Sequence, residues 1–325
     1  MITKSRLHER YKHPCAELML VSGVLDDWCL RTYRLHYFDA EVSSTLDLSS
    51  QLRIRRVKKS EKESYGELWD EDHGLGWGLD GPLSFVIDCV ARNARDVRET
   101  INKLAVALLL FKHYDRPLHD RLAWFRLRWG GGSLWQPDQL PLIRSEEMAD
   151  ADESTSFYGY HLKVSDISSF QIFWNTCSKT SWHKSLLLAG SRLLLVQARE
   201  DETALEDRLI DLMIACEALV IEDKKEEQKR TKIACRVGKL QKEQIPHLEK
   251  RASEELDLAY RLRNDLVHQG EFSSENLAEA AFPDQFVMYI EQYLRVAMVN
   301  YIDLMNQGKS KNQIIQYLDD LSECG

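Results

Sequence analysis

Hydrophobic and polar positions follow two different rhythms along this chain. Over roughly the first sixty residues they alternate in short runs. Residues 18–25 (LMLVSGVL), 29–39 (CLRTYRLHYFD) and 51–59 (QLRIRRVKK) therefore predict strands, with turn residues between them. Residues 70–80 (DEDHGLGWGLD) are polar and glycine-rich, which predicts a loop. Residues 88–112 predict a helix that ends in the apolar run LAVALLLF at 104–111. Residues 121–135 (RLAWFRLRWGGGSLW) alternate aromatic and basic positions, as a strand does, and then meet a sharp turn at Gly130, Gly131 and Gly132. Residues 146–155 (EEMADADEST) form an acidic loop.

From about residue 163 the alternation stops and helical spacing takes over. Residues 165–177 predict a helix capped by Ser165, and residues 183–200 a second. Residues 203–221 predict a third, with Thr203 and Glu206 spaced as a capping box. Its apolar stripe is Leu205, Leu209, Leu212, Met213, Cys216 and Leu219. A basic tract at 224–239, a helix through residue 268 and a long helix at 283–305 complete the series. The expected fold class is α+β: a mixed α/β N-terminal domain over residues 1–162, then an all-α helical bundle over residues 163–325.

Composition narrows the function classes. The chain has 325 residues, 44% apolar and 29% charged, the balance of a soluble globular protein of about two domains. No run approaches the roughly 20 apolar residues that span a bilayer, and the first residues lack the apolar core of a secretory signal. Seven cysteines are scattered singly with no C-x-x-C pair, which predicts reduced thiols in a cytoplasmic protein and no structural zinc. No G-x-x-x-x-G-K loop is present, so ATP use is not indicated; no cofactor or metal is expected, and His113 and His119 beside Asp115 and Asp120 make no metal-binding spacing. The net charge of −9 excludes a broadly basic surface but leaves room for a local basic groove.

One stretch carries candidate chemistry, YRLRNDLVHQG at residues 260–270. At 100° per residue, with Arg263 as origin, Leu258, Ala259, Leu262 and Leu266 fall between about 220° and 320°. Tyr260, Asn264 and His268 fall at about 60°, 100° and 140°, opposite that stripe. Asn264 and His268 are i,i+4 neighbours. Gly270 is a natural terminator, so His268 lies in the last turn at the negative end of the helix dipole. Such a face can cleave RNA without metal. Imidazole exchanges protons at neutral pH, and a guanidinium fork matches two phosphate oxygens.

The spacing alone is weak, since Arg31 and His36 repeat it in a strand-like segment where residues five apart lie on opposite faces. The competing reading makes His268 a helix-dipole partner and Arg263 a surface ion-pair former with Glu254, Glu255 or Asp265.

The tract IDLMIACEALV (residues 210–220), the basic helix and YRLRNDLVHQG together resemble the Apea-like branch of the HEPN superfamily. Glu217, Ala218 and Leu219 match its E-A-L turn; Arg263, Asn264, His268 and Gly270 match its R-(N/D/S)-x-x-x-H helix ending in glycine. The stretch from Ile101 (INKLAVALLLFKHYDRPLHDRLAWFRL) is similar to the module that often precedes such bundles. The resemblance covers about residues 85–325, most closely 200–272.

It implies a HEPN-type bundle that dimerises so that two R-x4-H helices face one cleft. It also implies a metal-independent endoribonuclease of toxin–antitoxin, abortive-infection or other antiphage defence, with a regulatory or antitoxin partner. Arg263, His268, Asn264 and Glu217 would be its catalytic set. Some members of the superfamily have lost activity and bind or scaffold instead, which is the alternative function here.

Two further tracts bear on RNA. Lys225, Lys229, Arg230, Lys232 and Arg236 would form a phosphate track beside Tyr260, although Glu226 and Glu227 interrupt it and charge runs are usually solvated faces. Trp124, Phe125, Arg126, Arg128 and Trp129 interleave aromatics with cations as a single-strand binder does. Simple strand alternation, aromatics inward and arginines outward, accounts for them more economically.

Overall fold

The computed structural model describes residues 29–36, 38–40, 45–56, 85–91, 93–112, 126–129, 160–198, 205–223, 225–241, 248–280 and 283–321. The protein is α+β, as its two rhythms predict. By compactness it divides into two units, Met1–Asn102 with Arg121–Asn175, and Lys103–Asp120 with Thr176–Gly325.

The first unit is built on a five-stranded sheet. Its strands are β1 (Cys29–His36), β3 (Thr45–Ser49), β4 (Leu52–Arg56), β5 (Phe85–Ala91) and β6 (Arg126–Trp129), in the order β3-β4-β5-β1-β6 with all described pairs antiparallel. β2 (Phe38–Ala40) pairs in parallel with β7 (Tyr160–Leu162). Helix α1 (Ala94–Lys112) begins in this unit, and most of α2 (Val164–Lys179) belongs to it.

β5 corrects one expectation. Residues 88–91, expected to open the 88–112 helix, instead complete the strand FVIDCVA, and the helix begins only at Ala94. The strand is buried along its whole length apart from Ala91, so period-2 alternation is missing. Leu52, Ile54, Phe85, Ile87 and Cys89 are buried. Register pairs Leu52 with Cys89 and Ile54 with Ile87. On the opposite side of β4 and β5, Asp88 is fully buried and accepts from Arg55 Nε at 2.6 Å and Arg53 Nε at 3.1 Å. The register of β6 sets Trp129 and Leu127 opposite Tyr33 and Leu35, and Arg128 and Arg126 opposite Arg34 and His36. Trp124, Phe125 and the predicted strand at 18–25 lie outside the described residues.

The second unit is helical: α3 (Lys184–Ala198), α4 (Leu205–Val220), α5 (Lys229–Lys239), α6 (Leu248–Gln269), α7 (Ser274–Glu279), α8 (Pro283–Asn306) and α9 (Lys311–Asp320). The stripe of α4 is buried as its spacing predicts, at Leu209, Leu212, Met213, Cys216 and Leu219. Two details differ from the sequence reading. Ser165 lies inside α2, where Asp166 accepts from the Lys163 N–H at 3.1 Å, so a carboxylate rather than the serine closes the first turn. Cys235 is disulfide-bonded, whereas Cys89, Cys177 and Cys216 are free and buried. The expectation that all seven thiols stay unpaired fails, because sequence spacing does not report which cysteines meet in space.

Close packing of α5 on α6 depends on Gly238. A Cβ at that position would lie 2.1 Å from Ser253 Oγ and 2.9 Å from the Glu249 carbonyl oxygen. Inside this unit Arg295, buried with Glu291 on α8, donates to the Leu109 carbonyl at 2.7 Å and so satisfies a terminal carbonyl of α1. No helix among the described residues is long and apolar enough to cross a membrane.

Candidate functional site on helix α6

Helix α6 turns Ala252, Leu256, Leu258, Ala259 and Leu262 inward. Leu266, the last member of the predicted stripe, is only half-buried. Gly270 has φ +83°, a left-handed conformation that suits glycine, and its N–H returns to the Leu266 carbonyl at 3.0 Å. That arrangement ends the helix at Gln269 and leaves His268 in the exposed final turn.

Tyr260, Arg263 and Asn264 are half-buried on the same helix, and His268 is exposed. Arg263 Nη1 donates to Asn264 Oδ1 at 3.1 Å, and its guanidinium carbon lies 5.8 Å from the centre of the Tyr260 ring. That distance is within reach of a cation–π contact. Tyr260, Arg263 and Asn264 thus form one contiguous group, with His268 one turn beyond Asn264.

The three carboxylates that the ion-pair reading names for Arg263 are each engaged elsewhere. Glu255 accepts from Arg251 at 2.8 Å and from the Tyr293 hydroxyl at 2.7 Å. Glu254 pairs with Lys250 at 3.7 Å. Asp265 accepts from the Ser273 N–H at 3.2 Å and from Asn276 Nδ2 at 2.7 Å. Neighbouring cations are taken as well, Arg230 by Asp257 at 2.9 Å and Arg261 by Glu279 at 2.8 Å. Among the described residues, neither Arg263 nor His268 enters an ion pair. Arg263 is half-buried and His268 exposed, and no acid among the described residues neutralises either.

Glu217 is not brought to this group by any bond. It accepts from Lys229 Nζ at 2.8 Å, both side chains partly exposed. Sequence reading offered Arg263, His268 or another arginine as its partner; the actual one is a lysine twelve residues on.

The basic tract is largely neutralised. Lys229 pairs with Glu217, Arg230 with Asp257 and Lys232 with Glu226 at 3.0 Å. Arg236 is only 2% exposed. It holds Asp319 with Nε and Nη2, both at 2.8 Å, Glu226 at 2.8 Å, and the Val220 carbonyl at 2.8 Å. Every edge of that guanidinium is occupied inside the protein, so Arg236 joins α5 to α9 and to the end of α4 instead of lining an RNA path. Lys225 alone of the five is exposed without a carboxylate partner; its backbone N–H meets Asp223 Oδ1 at 3.4 Å.

Glu226 is the hub of this network. Burial opposes its ionisation, but hydrogen bonds from Arg236, the Glu222 N–H and Lys232 outweigh burial and hold its carboxyl down at about 2. Sequence reading missed Glu226 and Asp319 as partners. The signal available was the presence of acids within a basic run, which points to internal pairing.

Among the described residues no group of three or more histidine, cysteine, aspartate or glutamate side chains gathers as a metal site would. Compared with known protein families, curated proteins and solved structures, the chain matches none.

Proposed function

We propose that this protein is a metal-independent endoribonuclease of HEPN type, and that Arg263 and His268 carry its chemistry. The observation that supports this reading most is that, among the described residues, these two have no acid partner, on a helix whose other cations are paired. A structural arginine would be expected to join that pairing.

In the reaction, the 2′-oxygen attacks the adjacent phosphorus and the 5′-oxygen leaves. His268 takes the 2′-hydroxyl proton, or protonates the leaving 5′-oxygen, and a second copy's His268 supplies the complementary step. Arg263 spreads two donors over the phosphoryl oxygens as charge gathers there. Asn264 already fixes one edge of that guanidinium. The products are a 2′,3′-cyclic phosphate and a 5′-hydroxyl end. The partners in this reading are RNA, a second copy of the chain, and a regulatory or antitoxin-type protein of a defence system.

One observation favours the non-catalytic alternative, in which the same face binds a nucleotide, an RNA end or a protein. The α5 cations are neutralised internally, so the phosphate track is reduced to Lys225 and the α6 face. Cleavage of RNA in EDTA by wild type, and its loss in His268→Ala and Arg263→Ala, decides between them. Retained RNA binding with no cleavage under any condition selects the alternative.

A further inference from the structure

Helix α6 does not end freely after His268. From Gly270 the chain turns back, and the Ser273 N–H donates to Asp265 Oδ2 at 3.2 Å, eight positions back, closing a loop around the turn that carries His268. The same carboxylate oxygen accepts from Asn276 Nδ2 at 2.7 Å. The other end of that amide is held too: Asn276 Oδ1 accepts from Arg261 Nη1 at 2.7 Å, and Arg261 Nη2 reaches Glu279 Oε1 at 2.8 Å. Arg261, Asp265 and His268 stand at i, i+4 and i+7, on one stripe of the helix.

Helix α7 buries no side chain. The polar bonds to Asp265 and Arg261 tie it to α6. The Asp265 carboxyl is held below its ordinary range, first by the Asn276 hydrogen bond, with burial opposing and Ser273 assisting.

We propose that Asp265 is a positioning residue for His268. By tying Ser273 and Asn276 back to the last turns of α6, it fixes the helix end and with it the imidazole. The proposal rests on the nuclease reading of Arg263 and His268. Its physical basis is that terminal turns open at little free-energy cost unless tethered, and that a catalytic group displaced by about an ångström loses much of its rate.

The test uses the full chain and three variants, Asp265→Ala, Asn276→Ala and Asp265→Asn. The last removes the charge but keeps a carbonyl oxygen that can accept both hydrogen bonds. Three quantities are read: amide exchange over residues 266–270, the His268 Cε1–H NMR signal through a pH titration, and single-turnover RNA cleavage.

Asp265→Ala and Asn276→Ala are expected to speed exchange roughly tenfold or more and to shift or broaden the His268 signal. Saturating cleavage should fall by about tenfold or more while the KM for RNA changes little. Asp265→Asn should restore all three. Unchanged exchange and an unchanged His268 signal in Asp265→Ala overturn the proposal. So does an Asp265→Asn variant as impaired as Asp265→Ala, since charge rather than tethering would then be at work. A wild type that cleaves no RNA defeats the nuclease reading alone; the exchange and NMR results still decide whether Asp265 sets the His268 ring.

Discussion

Replacing Arg236 with alanine separates a structural cation from an RNA-binding one. The side chain is 2% exposed and serves two carboxylates and a backbone carbonyl. Its removal leaves the Val220 carbonyl without its donor and Glu226 with only Lys232 and the Glu222 N–H, while Asp319, 44% exposed, regains water. Breaking a buried ion pair from one side costs about 3–5 kcal/mol. The rehydration of Asp319 argues for the lower end, about 3 kcal/mol. At roughly 2–4 °C per kcal/mol for a domain of this size, the melting temperature should fall by about 6–12 °C. Circular dichroism melting measures that, and an RNA-binding titration of the same variant beside Lys225→Ala completes the comparison. Arg236→Ala should melt early yet, while folded, bind RNA as wild type does. A melting temperature within a degree of wild type, together with weakened RNA binding, would refute the structural assignment.

Other consequences follow from the same packing and charges. Gly238→Ala forces the Glu249 carbonyl away from α5, and overpacking of this kind costs about 1–3 kcal/mol. Ser253→Ala should recover only part of the loss in chemical denaturation, because the backbone contact remains. Acid should destabilise the helical unit through Glu226. Its folded carboxyl lies at about 2 against an ordinary 4.5, so its contribution is complete above about 4.5 and is lost as pH falls towards 2. Glu226→Gln should flatten the stability–pH curve in that window and be less stable at pH 7. His183 behaves with the same sign near neutrality. Its Nδ1 accepts from the Leu186 N–H at 3.2 Å, and burial first, then Lys311, lowers its pKa below the usual 6.5. Stability should therefore fall as pH drops below about 6.5, and the histidine NMR titration of His183 should have its midpoint below that value.

The helical unit was readable where the pattern was long. α4 and α8 show repeated apolar spacing over four or more turns, and both stand close to their expected bounds. Short or doubly buried elements were not readable. FVIDCVA lacks alternation because both of its faces are covered. α9 carries a Ser310–Gln313 capping box and an apolar stripe of Ile314, Ile315 and Leu318, a short signal for a ten-residue helix.

The candidate site divides the same way. Arg263, Asn264 and Tyr260 share a local group that helical geometry alone foretells. The partner of Glu217 and the internal role of Arg236 depend on which helices meet, and Arg236 finds Asp319 eighty-three positions away. Charge counting along a sequence cannot tell a phosphate track from a buried network, because the two differ only in tertiary neighbours.

The most direct test of the central claim is RNA cleavage in EDTA by wild type beside His268→Ala and Arg263→Ala, with the product ends mapped. The account predicts EDTA-resistant cleavage that leaves 2′,3′-cyclic phosphate and 5′-hydroxyl ends and is lost in both variants. Cleavage that persists in both variants, or that requires a divalent metal, would contradict it.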